Sequence, residues 1–160
     1  MILLIKNLLF VVVVPGTVAV YVPLYLARDQ SAASGGTFAI AFALLLVGGA
    51  IFAWCVWDFA VFGRGTPAPT DPPKKLVVRG LYRYTRNPMY LSVLTVILGW
   101  AVLYQTGTLA IYALGLGACA HLFIVFYEEP HLRQVFGHEY DEYRAAVGRW
   151  FPRLPRKPTA

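Results

Sequence analysis

Charge is scarce in this chain. Only 14% of its 160 residues are Asp, Glu, Lys or Arg, while 58% are hydrophobic; soluble domains carry roughly a quarter charged residues. Too little polar surface remains to cover a water-soluble globule. Cysteine is scarce as well, and Cys55 and Cys119 both fall inside apolar runs. The pair reads as two buried free thiols, with neither a disulfide framework nor a metal site. No internal repeat is visible. The glycine pair Gly115-x-Gly117 has no strand before it and sits in an apolar run, so close helix packing accounts for it better than a nucleotide loop.

Long apolar runs are what the chain does have. Residues 7–27 and 38–57 carry no charge, 88–104 is a shorter uncharged run, and 108–127 contains a single His. About 20 apolar residues cross a bilayer core of roughly 30 Å. The pattern predicts an all-α integral membrane protein: one membrane domain over 1–160, with four transmembrane helices at about 7–27, 37–62, 88–105 and 108–127 and a C-terminal interfacial amphipathic helix. The first run exceeds the apolar stretch of a cleaved leader and has one basic residue before it, so it reads as a retained span. Pro15 and Pro23 within it are tolerable where neighbouring helices satisfy the freed carbonyls.

Basic residues fix the orientation. With the N-terminus inside, every one of the 14 Lys and Arg except Arg28 falls on the inner side. That predicts a cytoplasmic N- and C-terminus, an inner (cytoplasmic) membrane of a bacterium or archaeon, and a working end at the inner leaflet. The net charge of +6 suits anionic headgroups. It does not point to nucleic acid, because the basic residues flank the spans.

Local signals refine the picture. Residues 63–73 are rich in Pro and Gly and read as kinked and extended. Asn87 is a good N-cap and Pro88 suits the first helical position. Gln105-Thr106-Gly107 predicts a tight outer turn, which makes helices three and four an antiparallel hairpin. The fourth helix is expected to end near Glu128-Glu129-Pro130. Leu132, Val135, Phe136, Tyr140, Tyr143 and Val147 then recur at helical spacing, as in a helix lying on the inner membrane surface.

Three features therefore meet at one end of the hairpin. The start of helix three offers free backbone N–H groups, a favourable dipole and Arg86, which together suit an anion such as a carboxylate. Glu128 and Glu129 are adjacent carboxylates in need of a cation or of hydroxyls. The tail around Phe136-Gly137-x-x-Tyr140-x-x-Tyr143 is placed to fold back over both. A zwitterion bearing a carboxylate, an ammonium and ribose hydroxyls, such as S-adenosylmethionine, is compatible with this arrangement, though the physics does not single it out.

Arg86-Asn87-Pro88-Met89-Tyr90, Leu98-Gly99-Trp100-Ala101 and Tyr127-Glu128-Glu129-Pro130 resemble the core of phosphatidylethanolamine N-methyltransferases. Lys75-Leu76-Val77-x-x-Gly80-x-Tyr82, Phe136-Gly137-x-x-Tyr140-x-x-Tyr143 and Arg149-Trp150-x-Pro152 resemble isoprenylcysteine carboxyl methyltransferases of the same membrane-embedded superfamily. The resemblance covers about residues 64–152. It implies methyl transfer from S-adenosylmethionine to a lipidic or other hydrophobic acceptor at the cytoplasmic leaflet, with carboxyl O, amine N and thiol S all open. It implies cofactor contacts at Lys74, Lys75, Leu76, Val77, Gly80, Tyr82, Asn87, Pro88, Met89, Tyr90, Glu128 and Glu129, Glu129 most directly. Apart from the resemblance, Arg86 at the helix start and His121, ionisable within a span, are the catalytic candidates. Two departures speak against a prenylcysteine acceptor. Asn87 stands where the isoprenylcysteine enzymes usually have His, and Phe123-Ile124-Val125-Phe126 lacks the Arg those of eukaryotes carry ahead of the acidic pair.

Plainer readings stand beside these. The acidic pair can be a solvated helix end, Arg86 can snorkel to phosphates, and Tyr82 and Tyr90 can be interfacial aromatics. His121, seven residues before Glu128 and so on roughly its face, is either an acceptor-orienting group or a neutral His bonded within the bundle. Asp58 reads best as the structural partner of an inner Arg, with the acceptor channel as the other option. Two other function classes remain: a nicotinamide-dependent, sterol-reductase-like oxidoreductase, and a non-catalytic membrane protein.

Overall fold

The computed structural model describes residues 13–63 and 75–151. It is helical throughout: α1 (Val13–Leu26), α2 (Gly35–Asp58, continued by a π-helical turn, Phe59–Gly63), α3 (Pro88–Leu103), α4 (Gly107–Phe123, continued by a π turn, Ile124–Glu128), α5 (Glu129–Phe136) and α6 (His138–Ala146). A 3₁₀ turn, Gly80–Arg83, precedes α3.

Among the described residues two helices are long and apolar enough to cross a bilayer, Gly35–Phe62 and Gly107–Phe136; Val13–Leu26 and Pro88–Leu103 are apolar but shorter. The third expected span is thus 16 residues, about 24 Å at 1.5 Å each, and the first begins outside the described residues. The long helices do not bury their apolar side chains in the protein. Ile111, Leu114 and Phe126 of α4 are 72–75% exposed, a surface that lipid accepts and water does not.

The helices of the body meet through glycine. A Cβ on Gly48 of α2 would stand 2.7 Å from Val96 Cγ2 and 2.9 Å from the Ser92 carbonyl of α3, and one on Gly99 would stand 3.0 Å from the Leu45 side chain. Gly115 and Gly117, expected to be the packing pair, are not: Gly115 meets nothing within 4 Å, and Gly117 has ordinary contacts with Leu94. Among the described glycines it is Gly48 and Gly99 that lie where two helices press closest.

Two prolines inside helices, Pro23 and Pro130, each follow a π turn. Thr17–Tyr21 precedes Pro23, and Ile124–Glu128 precedes Pro130. The wider turn accommodates the ring and the missing N–H. Around Pro23 the freed carbonyls of Val18 and Ala19 accept hydrogen bonds from Tyr112 Oη and Trp100 Nε1, both at 2.9 Å. Around Pro130 the consequence is larger. The fourth helix does not stop at Glu128-Glu129-Pro130, as expected, but runs on through α5.

The expected continuous interfacial helix is also broken. Gly137 takes a φ of +53°, which separates α5 from α6. The two short helices fold so that Tyr140, Tyr143 and Val147 pack with Leu132, Phe136 and Leu76. Val135 stays exposed. The apolar face of the tail is spent largely on the protein itself. At the opposite end, the turn between α3 and α4 is as tight as the sequence suggests, and the Thr106 side chain caps α4 by accepting from the Thr108 N–H.

Candidate functional site

The hairpin brings the start of α3 against the π turn of α4, and the two adjacent glutamates there diverge. Tyr90 Oη donates to Glu128 Oε2 at 2.9 Å. Glu129 turns into an ion triad. Arg149 Nε and Nη2 donate to its two oxygens at 2.7 and 2.9 Å, and Arg86 Nη1 lies 3.0 Å from Oε1. The Arg86 and Glu129 side chains are each 9% exposed, so charge is matched there within a nearly closed space. Arg86 Nη1 also donates to Tyr140 Oη at 3.2 Å, while Arg86 Nε is buried without a partner among the described residues.

Residues 147–151 cross the start of α3 as a strap. The Arg86 N–H donates to the Gly148 carbonyl, and Thr85 Oγ1 and Asn87 Nδ2 donate to the Arg149 carbonyl at 3.0 and 3.1 Å. The Asn87 side chain therefore ties down the strap, where a helix cap was expected; it makes no cap bond to α3. Trp150 Nε1 donates to His121 Nδ1 at 3.0 Å, and Tyr143 Oη donates to the Tyr82 carbonyl at 2.8 Å. Burial pushes the phenols of Tyr82, Tyr140 and Tyr143 above their ordinary range. The hydrogen bonds from Arg149 to Glu129 hold its guanidinium firmly protonated.

Beside this polar end lies a cavity of about 570 Å³, walled by α1, α2, α3 and α4. That is within the usual range for small-molecule sites. Its walls are apolar, among them Phe52, Phe59, Val93, Leu94 and Leu116, and its polar groups are Tyr82, Arg86, Asn87, Tyr90 and Glu128.

Of the residues singled out from sequence, Tyr82, Arg86, Asn87, Met89, Tyr90 and Glu128 meet at this cavity. Pro88 is buried at the first turn of α3. Lys75 is exposed, Leu76 packs under the tail, and Val77 packs against Cys55 and Tyr82. Gly80 lies in a different cleft, against Asp58. Lys74 falls outside the described residues. Cys119, expected to be buried, is exposed and lines the cavity. His121 accepts a hydrogen bond from Trp150 and is not among the residues lining this cavity, and a π turn, Ile124–Glu128, widens the helix between it and Glu128. Asp58, expected to pair with an inner Arg, has no ion pair to a described Arg, and its Oδ2 has no hydrogen-bond partner among the described residues.

In the sequence, Arg149, Trp150 and Tyr140 stand out only as pieces of a motif. Their contacts with Glu129, His121 and Arg86 span 20, 29 and 54 positions of chain, beyond any local signal.

A sequence model of the phospholipid methyltransferase family matches residues 37–139, well over half of the chain. The chain belongs to that family. A phosphatidylethanolamine N-methyltransferase of Botryotinia fuckeliana (strain B05.10) is 32% identical over 88 residues, which cover 54% of this chain and 8% of that protein. This chain thus corresponds to a small part of the length of that relative. No solved structure matches the chain significantly. The family match takes in α2 to α5 and therefore both helix ends of the site; the Arg149-Trp150 strap lies beyond it.

Proposed function

We propose that this chain transfers a methyl group from S-adenosylmethionine to a phospholipid-like acceptor at the cytoplasmic leaflet, as a single membrane domain of four spans with its basic end inside. The observation that carries the reading is the junction of Tyr90–Glu128 with the Glu129–Arg86–Arg149 triad at the polar end of an apolar, laterally walled cavity. Family membership gives methyl transfer more weight than hydride transfer or a non-catalytic role. Basic residues from before α3 and from after α4 meet at the same end, where Arg86 and Arg149 share Glu129. That favours one inner face.

The residues fit such a donor. Its ammonium and hydroxyls suit Glu128 and the phenols, and its carboxylate suits the unpartnered Arg86 Nε. The bound cofactor supplies an electrophilic methyl on a sulfonium. The chain's own work is then to bind, orient and keep water out. Glu129, held by Arg149, fixes the guanidinium of Arg86 at the cavity wall. Tyr90 fixes Glu128, which is the carboxylate facing the cavity and the group placed to take a proton from an amine acceptor. Orientation of two reactants in a closed site is worth roughly 7–11 kcal/mol, so no protein nucleophile is needed. His121 is engaged by Trp150 and serves to seat the strap.

Incubating the purified full chain with methyl-labelled donor and a total lipid extract tests this directly. Label appearing in a phospholipid is the expected result; a folded protein that leaves every lipid class unlabelled overturns it.

A further inference from the structure

A second cleft, of about 610 Å³, lies on the flank of α2 and is lined by Trp54, Trp57, Phe62, Arg79 and Arg83 around Asp58. It is separate from the cavity at the start of α3. Phe52 and Phe59, seven residues apart on one face of α2, line that cavity, whereas Trp54 and Asp58, four apart, lie on another face.

Asp58 is 4% exposed, and its Oδ2 accepts no hydrogen bond from any described residue. A carboxylate oxygen in that state calls for a donor, and most of all for a charged one. Gly80 lets the 3₁₀ turn pass close to that oxygen. It takes a φ of +54°, and a Cβ at that position would collide with Asp58 Oδ2 and stand 3.0 Å from Trp54 Nε1. With glycine there, the 3₁₀ turn comes down beside the carboxylate without capping it. Trp54 and Trp57 are 56% and 65% exposed, so their indole faces are open to an alkylammonium. At the rim the Arg79 guanidinium is braced 3.8 Å over the Phe62 ring. Arg83 stands one turn further along the same segment, exposed and without an ion pair to a described residue. Two guanidiniums suit a phosphate.

We infer that this cleft holds the headgroup of a zwitterionic aminophospholipid: its ammonium on Asp58 between the indoles, its phosphate on Arg79 and Arg83. A lipid fits better than a soluble amine because the indoles are continuous with the exposed apolar face of α2, through Val47, Leu46 and Val61. The buried acceptor also sets a preference. A primary ammonium donates N–H to Oδ2, and a quaternary one has none to give. The site would therefore distinguish ethanolamine from choline headgroups while making no use of the methyl-transfer cavity.

Native mass spectrometry of the full chain released from detergent, in competition among phosphatidylethanolamine, phosphatidylcholine and phosphatidylglycerol, reads the preference. The ethanolamine lipid should be retained about tenfold over either competitor, the scale of one charged hydrogen bond. Asp58→Asn should remove the preference, and Arg83→Gln, at an exposed position with no fold role, should weaken retention of the ethanolamine lipid severalfold. Both variants should bind S-adenosylmethionine as the parent does, so that loss of this site is told apart from failure of the catalytic reading. Equal retention of the three lipids by the parent, preference for phosphatidylglycerol, an undiminished preference in folded Asp58→Asn, or displacement by excess soluble phosphoethanolamine would each overturn the assignment.

Discussion

Between α2 and α3 the helices touch through glycine, with Gly48 against Val96 and Gly99 against Leu45. At the start of α3, in contrast, α3, α4 and the tail touch through charge: Arg86 and Arg149 on Glu129, Tyr90 on Glu128. The two regions solve different problems. In lipid no hydrophobic gain separates a helix–helix contact from a helix–lipid one, so the body depends on close backbone approach and van der Waals contact. At the start of α3, ion pairs and hydrogen bonds hold three segments that are distant in sequence. Shape therefore governs the body, and charge governs the site.

Substitutions should separate the two. The largest effect is expected from Glu129→Ala, which leaves Arg86 buried without its partner; about 3–5 kcal/mol of stability should be lost, read by thermal unfolding in detergent, with the 138–151 segment becoming protease-sensitive. Gly48→Val should cost about 1–3 kcal/mol through overpacking. It should leave the strap as protected as in the parent once the protein is folded, because the crossing it disturbs lies in the body. Trp100→Phe should cost about 1 kcal/mol, the net worth of the one hydrogen bond to the Ala19 carbonyl freed by Pro23. The last difference is one of pH. Burial raises the phenols of Tyr82, Tyr140 and Tyr143 above the ordinary value of 10.0. A raised acid stabilises the folded state fully below its unfolded value, and that stabilisation is lost as pH rises from there through the folded value. Below about pH 10 the tail should thus stay docked, and above it proteolysis at Arg144 should appear while the helical circular dichroism of the body persists.

Much of this was readable in the residues. The apolar runs, the tight turn before Thr108, the proline at the start of α3 and the tail returning over the site are all local patterns, and the structure has each of them. The parts that were hidden depend on two things a linear pattern cannot carry. One is register. A π turn at Ile124–Glu128 widens the helix between His121 and Glu128, and of the two it is Glu128 that lines the cavity. The same turn lets the helix pass Pro130, where a stop was expected. The other is long-range company. Glu128 and Glu129 adjoin in sequence, and it is the distant Arg149 that, with Arg86, takes Glu129 while Glu128 keeps Tyr90 and lines the cavity. Asn87 is likewise diverted from capping α3 by the Arg149 carbonyl.

Equilibrium binding of labelled S-adenosylmethionine to the purified chain, compared with Glu128→Gln and with Trp57→Phe as a surface control away from the cavity, is the most direct measurement. The parent and Trp57→Phe should bind saturably and alike, with Glu128→Gln weakened by about tenfold or more, the scale of a lost charged hydrogen bond. Undiminished binding by a folded Glu128→Gln protein, or no saturable binding by the parent, would contradict a donor site built where α3 begins and α4 ends.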